Sequence, residues 1–505
     1  MERVESMNAA YQIEKMLSFA LENCLIEKED AAYTRNRLLE IMNMDAPADE
    51  PYAGELPETL TPMLEALCDE AVNASLIRDS LESRDLFSAK LAGAVTPAPF
   101  ETRARFHGLY EESPENATRW FYEMCRKTDY IKVDRIAKNA RFEEGGLDIT
   151  INLSKPEKDP RDIANALKVK AAAYPKCMLC IENPGYQGRP GFPARQNHRM
   201  IPVEIGDESW HMQYSPYLYY NEHCIVLSDE HRPMAITEAG FNRLFDFVEK
   251  FPHYFLGSNA DLPIVGGSIL THDHFQGGNY VFPMDRAEDE ITLTCEDASV
   301  RAAIINWPMS AVRLVSADRK ALVKRAMIIL NAWRKYTDEE NDIYAETDQK
   351  HNTITPILRK NGEKWRLDLV LRNNRTSKEH PLGIFHPHAD LHHIKKENIG
   401  LIEVMGLMIL PGRLLKELDE VAAYLTGEKE IPTDETAPGS AHFPWARELV
   451  SAYGTKNSRE EADAIIKKGV AQKCNRVLAD AGVYKQTEKG RKGFIRFLET
   501  VGFKA

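Results

Sequence analysis

Cysteine is scarce in this chain. Eight in 505 residues, irregularly placed, exclude a disulfide framework. Positive charge is short as well: 64 Lys and Arg stand against 77 Asp and Glu, a net −13. A general nucleic-acid binder or an anionic-membrane binder would present a basic face, so neither class fits. Long hydrophobic runs are missing. The longest, Ile399 to Leu410, is interrupted by Gly400, Glu403 and Gly406 and is too short and too polar to cross a bilayer. The first residues, Met1-Glu2-Arg3-Val4-Glu5-Ser6, carry acids and no apolar stretch of the signal-peptide kind. The expectation is a soluble, cytoplasmic protein with reduced thiols and with no nucleic-acid or membrane partner. A phosphate-bearing small ligand stays open, provided a pocket is locally basic or lined by amides.

What remains is an ordinary globular composition, 43% hydrophobic and 28% charged, long enough for two to four domains at about 150 residues each. The first 130 or so residues read as mostly helical. Met16, Leu17, Ala20, Leu21, Cys24 and Leu25 recur at helical spacing, and Met63, Leu64 and Leu67 open a second such face. Leu147, Ile149, Ile151 and Leu153 then alternate as a half-buried strand does. Further strands are expected at Cys224–Leu227, Tyr280–Phe282, Ala311–Val315 and Trp365–Leu371. Helices are expected around Phe241–Phe251, over Lys320–Trp333 and Leu414–Leu425, and from Ser458, where Glu461 completes a capping box, to about Ala481. The fold class is therefore α+β after a mostly helical N-terminal region. The division expected is residues 1–145 helical, 146–310 catalytic, and 311–505 a C-terminal domain ending in helices.

The segment richest in chemistry runs Asp261-Leu-Pro-Ile-Val-Gly266-Gly267-Ser268-Ile-Leu-Thr-His272-Asp-His274-Phe-Gln276-Gly-Gly278. On a strand, His272, His274 and Gln276 share one face, and the glycine pairs let backbone amides approach phosphate oxygens. A histidine nucleophile beside an amide donor suits nucleotidyl transfer through a covalent intermediate: imidazole attacks the α-phosphorus and the amide stabilises the developing charge. The competing reading is a metal-binding or core His pair; the flanking glycines and the in-phase Gln weigh against it.

The same eighteen residues resemble the signature of the class II galactose-1-phosphate uridylyltransferases. So do Ser113-Pro-Glu-Asn-Ala-Thr-Arg-Trp-Phe-Tyr, Thr128-Asp-Tyr-Ile, Ile151-Asn-Leu-Ser-Lys-Pro-Glu-Lys-Asp-Pro and Asp390-Leu-His-His-Ile-Lys-Lys-Glu-Asn-Ile-Gly-Leu-Ile-Glu-Val-Met-Gly. The resemblance is dense from about Ser113 to Leu410. It implies a histidine-triad-like fold of antiparallel sheets with flanking helices, and exchange of UMP between UDP-glucose and galactose 1-phosphate in a ping-pong cycle. His274 would carry UMP, Gln276 would stabilise the phosphate, and His272 would support the loop or bind metal. Gln in place of the third His of the related hydrolases cannot titrate, so the intermediate should outlast water. Asn259, Gly266, Gly267 and Ser268 would bind the nucleotide. Gly267 stands five residues before His272, as in class I, whereas Ser268 stands four before it rather than three.

No cofactor is needed for this chemistry, but a structural zinc fits the resemblance. Cys177-Met-Leu-Cys180 would be completed by His231 and His272 as a Cys2His2 site; two buried thiols and a surface His are the plainer reading. The Gly/Arg stretch Pro184–Arg199 is a candidate phosphate loop, with Arg195 and Arg199 directed at the diphosphate or the incoming hexose phosphate, or else a solvated surface loop. Glu403 resembles the class I Glu that meets sugar hydroxyls. The cluster His386, His388, Asp390, His392 and His393 would bind a metal or, the preferred reading, form a polar rim. Class I relatives are dimers, so a homodimer is the assembly this analogy points to. Two other activities compete: a nucleotide-sugar hydrolase or phosphorylase on the same fold, and a non-catalytic nucleotide-sugar sensor.

Overall fold

The computed structural model describes residues 8–153, 174–267, 269–434, 436–437 and 439–505. The chain forms two compact units, Met1–Lys138 with Ser154–His231, and Asn139–Leu153 with Arg232–Ala505. The units are thus not consecutive stretches: the chain leaves the first for two strands and returns.

The chain opens with helices α1 (Ala9–Glu22), α2 (Ala31–Met42), α3 (Thr61–Asn73), α4 (Leu81–Ala94), α5 (Pro99–Glu112), α6 (Pro114–Lys127) and the short α7 (Val133–Ile136). Met16, Leu17 and Ala20 on α1, with Leu25 just after it, and Met63, Leu64 and Leu67 on α3 are buried as expected, whereas Leu21 is half-buried and Cys24, beyond the helix end, is exposed. Side-chain caps define the starts. Asn8 accepts from the Ala10 amide, and Ser113 accepts from the Asn116 amide with Pro114 following at the first helical position. Strands β1 (Ala140–Glu144) and β2 (Leu147–Asn152) belong to the second unit; β3 (Ile201–Ile205), β4 (Glu208–Tyr214) and β5 (Cys224–Ser228) return to the first as an antiparallel meander.

The second unit continues through α8 (Glu238–Lys250), β6 (Phe255–Gly257), β7 (His274–Gly278), β8 (Asp289–Cys295), β9 (Arg301–Ile305), β10 (Ala311–Ser316), α9 (Arg319–Trp333), β11 (Asn352–Asn361), β12 (Lys364–Asn373), α10 (Leu401–Val404), β13 (Leu407–Pro411), α11 (Leu414–Thr426), α12 (Phe443–Tyr453), α13 (Arg459–Ala481), α14 (Glu488–Thr500) and β14 (Phe503–Lys504). Its large sheet has the order β14-β8-β9-β10-β12-β11-β6-β7, and β1-β2-β13 form a smaller one in which β13 runs parallel to β2. The capping box Ser458/Glu461 opens α13 as expected. Tyr280–Phe282 departs from expectation. It is a loop that leads into a 3₁₀ turn at Pro283–Arg286, where the Phe282 amide donates to Asp285 (2.8 Å) and the Tyr280 carbonyl accepts from Arg359 (2.6 Å).

The large sheet is two-faced, and register shows how. Ile354, Pro356 and Leu358 lie opposite Leu371, Leu369 and Leu367, an apolar face. Helices α8 and α9 pack against these strands, with Phe245 of α8 edge-on to Trp365 at 5.1 Å. The other face is polar. Gln276 opposes Gly257, Gly257 opposes Ile357, Ile357 opposes Asp368, and Asp368 opposes Arg313; residues directly opposite one another share a face. His274, two residues before Gln276, is on it too.

Candidate active site

The nucleophile candidate opens β7. His274 is 6% exposed, and its Nδ1 lies 2.8 Å from the His272 carbonyl. A carbonyl only accepts, so Nδ1 carries the proton and Nε2 keeps its lone pair. Burial pushes the His274 imidazole down to about 4, so near neutrality the ring is uncharged. His272 is fully buried and stands just before the strand; only His274 and Gln276 of the expected trio lie within it. Asp273, between the two histidines, points to the other side. Its amide donates to the Arg232 carbonyl (2.7 Å), and its carboxylate lies 3.4 Å from Arg232 and 3.8 Å from Arg243 of α8.

The glycine loop sits beside this strand. The β6–β7 register ends with Gly257 opposite Gln276, and Asn259 follows two residues beyond the end of β6. A Cβ on Gly267 would lie 2.7 Å from Asn259 Nδ2, and one on Gly266 would lie 2.5 Å from the Ala260 carbonyl. Both contacts demand glycine. Asn259 Oδ1 accepts from the Leu401 amide at 2.9 Å, so this residue ties the loop to α10. Ser268 lies outside the described residues.

Glu403 is 8% exposed and engaged at both oxygens, by the Gly400 amide (3.2 Å) and by Lys395 Nζ (3.0 Å), which also donates to the Ile409 carbonyl (2.7 Å). Arg372, 1% exposed on the polar face of β12, donates to the Ile399 carbonyl (2.8 Å) and holds the same turn from below. Burial lowers it to about 10, the Glu403 charge opposing.

The C-terminal histidines do not gather around a common point. His388 and His392 lie 3.1 and 2.8 Å from the Ile384 and Pro387 carbonyls, and His393 pairs with His442 at 2.9 Å.

In the first unit, Cys177 and Cys180 place their sulfurs 3.6 Å apart, and Cys180 Sγ is 3.2 Å from His231 Nδ1. These three donors all lie within 4.8 Å of one another. The Leu179 amide points at Cys177 Sγ (3.4 Å), and Asn183 Nδ2 donates to the Cys177 and Cys180 carbonyls at 2.9 and 2.7 Å, fixing the turn. Two thiols and an imidazole at this spacing make a donor set that a tetrahedral, sulfur-tolerant ion fits.

The two loop arginines differ. Arg199 donates to the carbonyls of Pro97 (2.6 Å), Gln196 (2.9 Å), His198 (2.7 Å) and Thr96 (3.2 Å), and burial lowers it to about 10. That is the position of a strut between the loop and the end of α4. Arg195 lies over the Tyr130 ring at 5.8 Å, with its Nε buried and without a hydrogen-bond partner among the described residues.

Comparison with known proteins decides the family. The family descriptions "Galactose-1-phosphate uridyl transferase, N-terminal domain" and "C-terminal domain" match residues 25–233 and 247–436. The chain belongs to the galactose-1-phosphate uridylyltransferase family. Relatives with that name include proteins of Caldanaerobacter subterraneus subsp. tengcongensis (50% identical over 98% of this chain and 99% of the relative), Halalkalibacterium halodurans (50%, over 97% and 98%) and Clostridium perfringens (47%, over 97% and 98%). The yeast Ap4A phosphorylase crystal structure is similar at 13% identity and a TM-score of 0.30, covering 63% of this chain and 90% of its own. Like its relatives, the chain is a nucleotidyltransferase, and its fold is the α+β type with antiparallel sheets and flanking helices.

Within this family frame, three side chains stand out that sequence reading did not single out. Asp273, between the two histidines, was given no role. Arg372 lay just beyond the strand expected at Trp365–Leu371, which runs on to Asn373. Asp261 opens the glycine segment and accepts from the Ile236 amide (2.9 Å), Arg334 (3.2 Å) and Thr353. The available signal was charge at a position that strand alternation expects to be enclosed.

Proposed function

We propose that the protein transfers UMP from UDP-glucose to galactose 1-phosphate through a uridylyl-His274 intermediate. The observation that supports it most is the His274 Nδ1 contact with the His272 carbonyl at 2.8 Å, which leaves Nε2 as a neutral nucleophile. In the first half-reaction Nε2 attacks the α-phosphorus, an N–P bond forms, and the bond to the bridging oxygen breaks, with that electron pair leaving on glucose 1-phosphate. The Gln276 amide, on the same strand face, donates to a non-bridging oxygen as charge builds. In the second half, a phosphate oxygen of galactose 1-phosphate attacks the same phosphorus, and imidazole leaves with its lone pair restored. His272, Asn259, Gly266, Gly267 and Ser268 would shape the phosphate and nucleotide site. Arg195 remains a candidate for the diphosphate or the hexose phosphate. Glu403, held by Lys395, keeps lone pairs for sugar hydroxyls.

A zinc ion would be held by Cys177, Cys180 and His231. It would supply structural closure rather than chemistry.

A single-turnover reaction with UDP-glucose and no acceptor tests the cycle. A burst of about one glucose 1-phosphate per site, stalling until galactose 1-phosphate is added, supports the transferase. Continuous UMP release would mean a hydrolase, phosphate-dependent release of a nucleoside diphosphate a phosphorylase, and tight UDP-glucose binding without turnover a sensor.

A further inference from the structure

The loop before the glycine pair contains a β-branched residue in the left-handed region. Ile264 has φ +73°, where the Cβ of a branched side chain crowds its own backbone. Such a conformation persists only where the surroundings impose it, and here they do so from three sides. Ala260 and Gly266 are bridged to one another, closing a short loop. The loop entrance is anchored by the Asp261 carboxylate, which takes the Ile236 amide and Arg334 at 2.9 and 3.2 Å and the Thr353 hydroxyl. At the apex the Ile264 side chain abuts Gly383 (φ +129°): a Cβ there would lie 3.1 Å from Ile264 Cγ2 and 2.9 Å from His386 Cβ. The loop exit is equally tight, because Gly267 already packs on Asn259.

We infer that Ile264 is a strained positioning residue. Wedged against Gly383, it turns the backbone so that the Gly266-Gly267 segment is delivered onto Asn259. It touches no reacting atom. It sets where the loop amides point, and so how well they meet an α-phosphate in the transition state. The kinetic half of this inference rests on the transferase reading; the conformational half does not.

Ile264→Gly and Ile264→Ala in the full-length protein separate the two halves. Both remove nearly the same contacts. At an ordinary position Ala is the more stable, whereas at positive φ Gly is. The expected result is that Ile264→Gly melts about 2 °C or more above Ile264→Ala; equal melting, or the reverse order, would overturn the strain. In both variants kcat should fall by roughly tenfold at nearly unchanged KM for UDP-glucose, because misplaced amides weaken transition-state binding. Ile264→Val, which keeps the branched wedge, should restore the rate. Wild-type kcat in the Gly and Ala variants would overturn the positioning role. If the wild-type protein itself releases no glucose 1-phosphate, the transferase reading fails, while the melting comparison still decides whether Ile264 is strained.

Discussion

At the scale of single residues, His274 is defined by what it lacks, a charge. Its imidazole is held down to about 4 by burial, against about 6.5 in an unfolded chain. The first half-reaction should therefore run at a flat rate from about pH 8 down to about pH 5 and lose rate only as pH approaches 4. A rate that fell through pH 6.5 instead would show that His274 is solvated. The same displacement bears on stability. Between pH 4 and 6.5 the unfolded chain binds the proton and the folded one does not, so stability rises with pH across this window and levels off above it. His198 and His393, the latter at about 3, are pushed down by burial in the same direction. Calorimetry from pH 7 to 4.5 should show a steady fall in Tm. His274→Asn should still bind UDP-glucose but form no uridylylated protein, and Gln276→Ala should slow both half-reactions by about a hundredfold, as the loss of an oxyanion donor does. Substantial exchange in the first variant, or an unchanged rate in the second, would remove that residue from the mechanism. Both positions were legible in sequence because glycines and in-phase polar residues on a strand leave a local mark. Arg199 left no such mark. Its carbonyl partners at Thr96 and Pro97 lie a hundred positions away, and nothing within Pro184–Arg199 distinguishes a strut from a ligand contact.

Elements carry the next level of control. Strand β7 offers His274 and Gln276 on one face only if its register is held, and Asp273 holds it from behind through Arg232 and Arg243. Asp273→Ala should cost about 1–3 kcal/mol by leaving buried charge less compensated. It should also lower the burst rate without changing the stoichiometry of glucose 1-phosphate released. A variant as stable and as fast as wild type would show that the clamp is idle. Helices α8, α9 and α11 were readable because each buries one stripe, and α13 from its Ser458/Glu461 capping box. Tyr280–Phe282 was misread because aromatic residues in a short run look the same in a strand and in a buried loop. The strand ends at Gly278, and the Phe282 amide is taken by the Asp285 carboxylate instead of a neighbouring strand. The Cys177 turn sits between these cases. Its spacing was visible, and the arrival of His231 within bonding reach is a tertiary fact. Elemental analysis of protein purified without added metal should find about one zinc per chain. Active protein without the metal would retire the site.

For the whole molecule, the two units are interleaved along the chain: Asn139–Leu153, flanked by stretches of the first unit, belongs to the second. A composition profile carries no trace of this, because β1 and β2 look like any hairpin until β13, some 250 residues later, pairs with β2. The C-terminal helices make a related point. The family descriptions end at residue 436, and every proposed site residue lies before that boundary. Yet the helices beyond it complete the core of the second unit. On α13, Ile466, Val470, Val477 and Leu478 are buried, and the helix packs on α11, β1 and β2. On α14, Phe497 meets Trp333 and Tyr336 at 5.1 and 4.9 Å, and Phe494 stacks on Tyr484 at 5.2 Å. Trp333 in turn donates to the carbonyls of Thr353 and Arg372, which links this aromatic cluster to the strands carrying the polar face. At about 1.5–3 kcal/mol for each buried large side chain, six such residues stabilise by about 9–18 kcal/mol, as much as the whole margin of about 5–15 kcal/mol of a typical domain. A chain cut after residue 436 should therefore lose its cooperative melting transition and aggregate, although it retains every proposed catalytic and binding group. A truncated protein that melts cooperatively and still releases a burst of glucose 1-phosphate would show that the site needs only the segment the family descriptions cover.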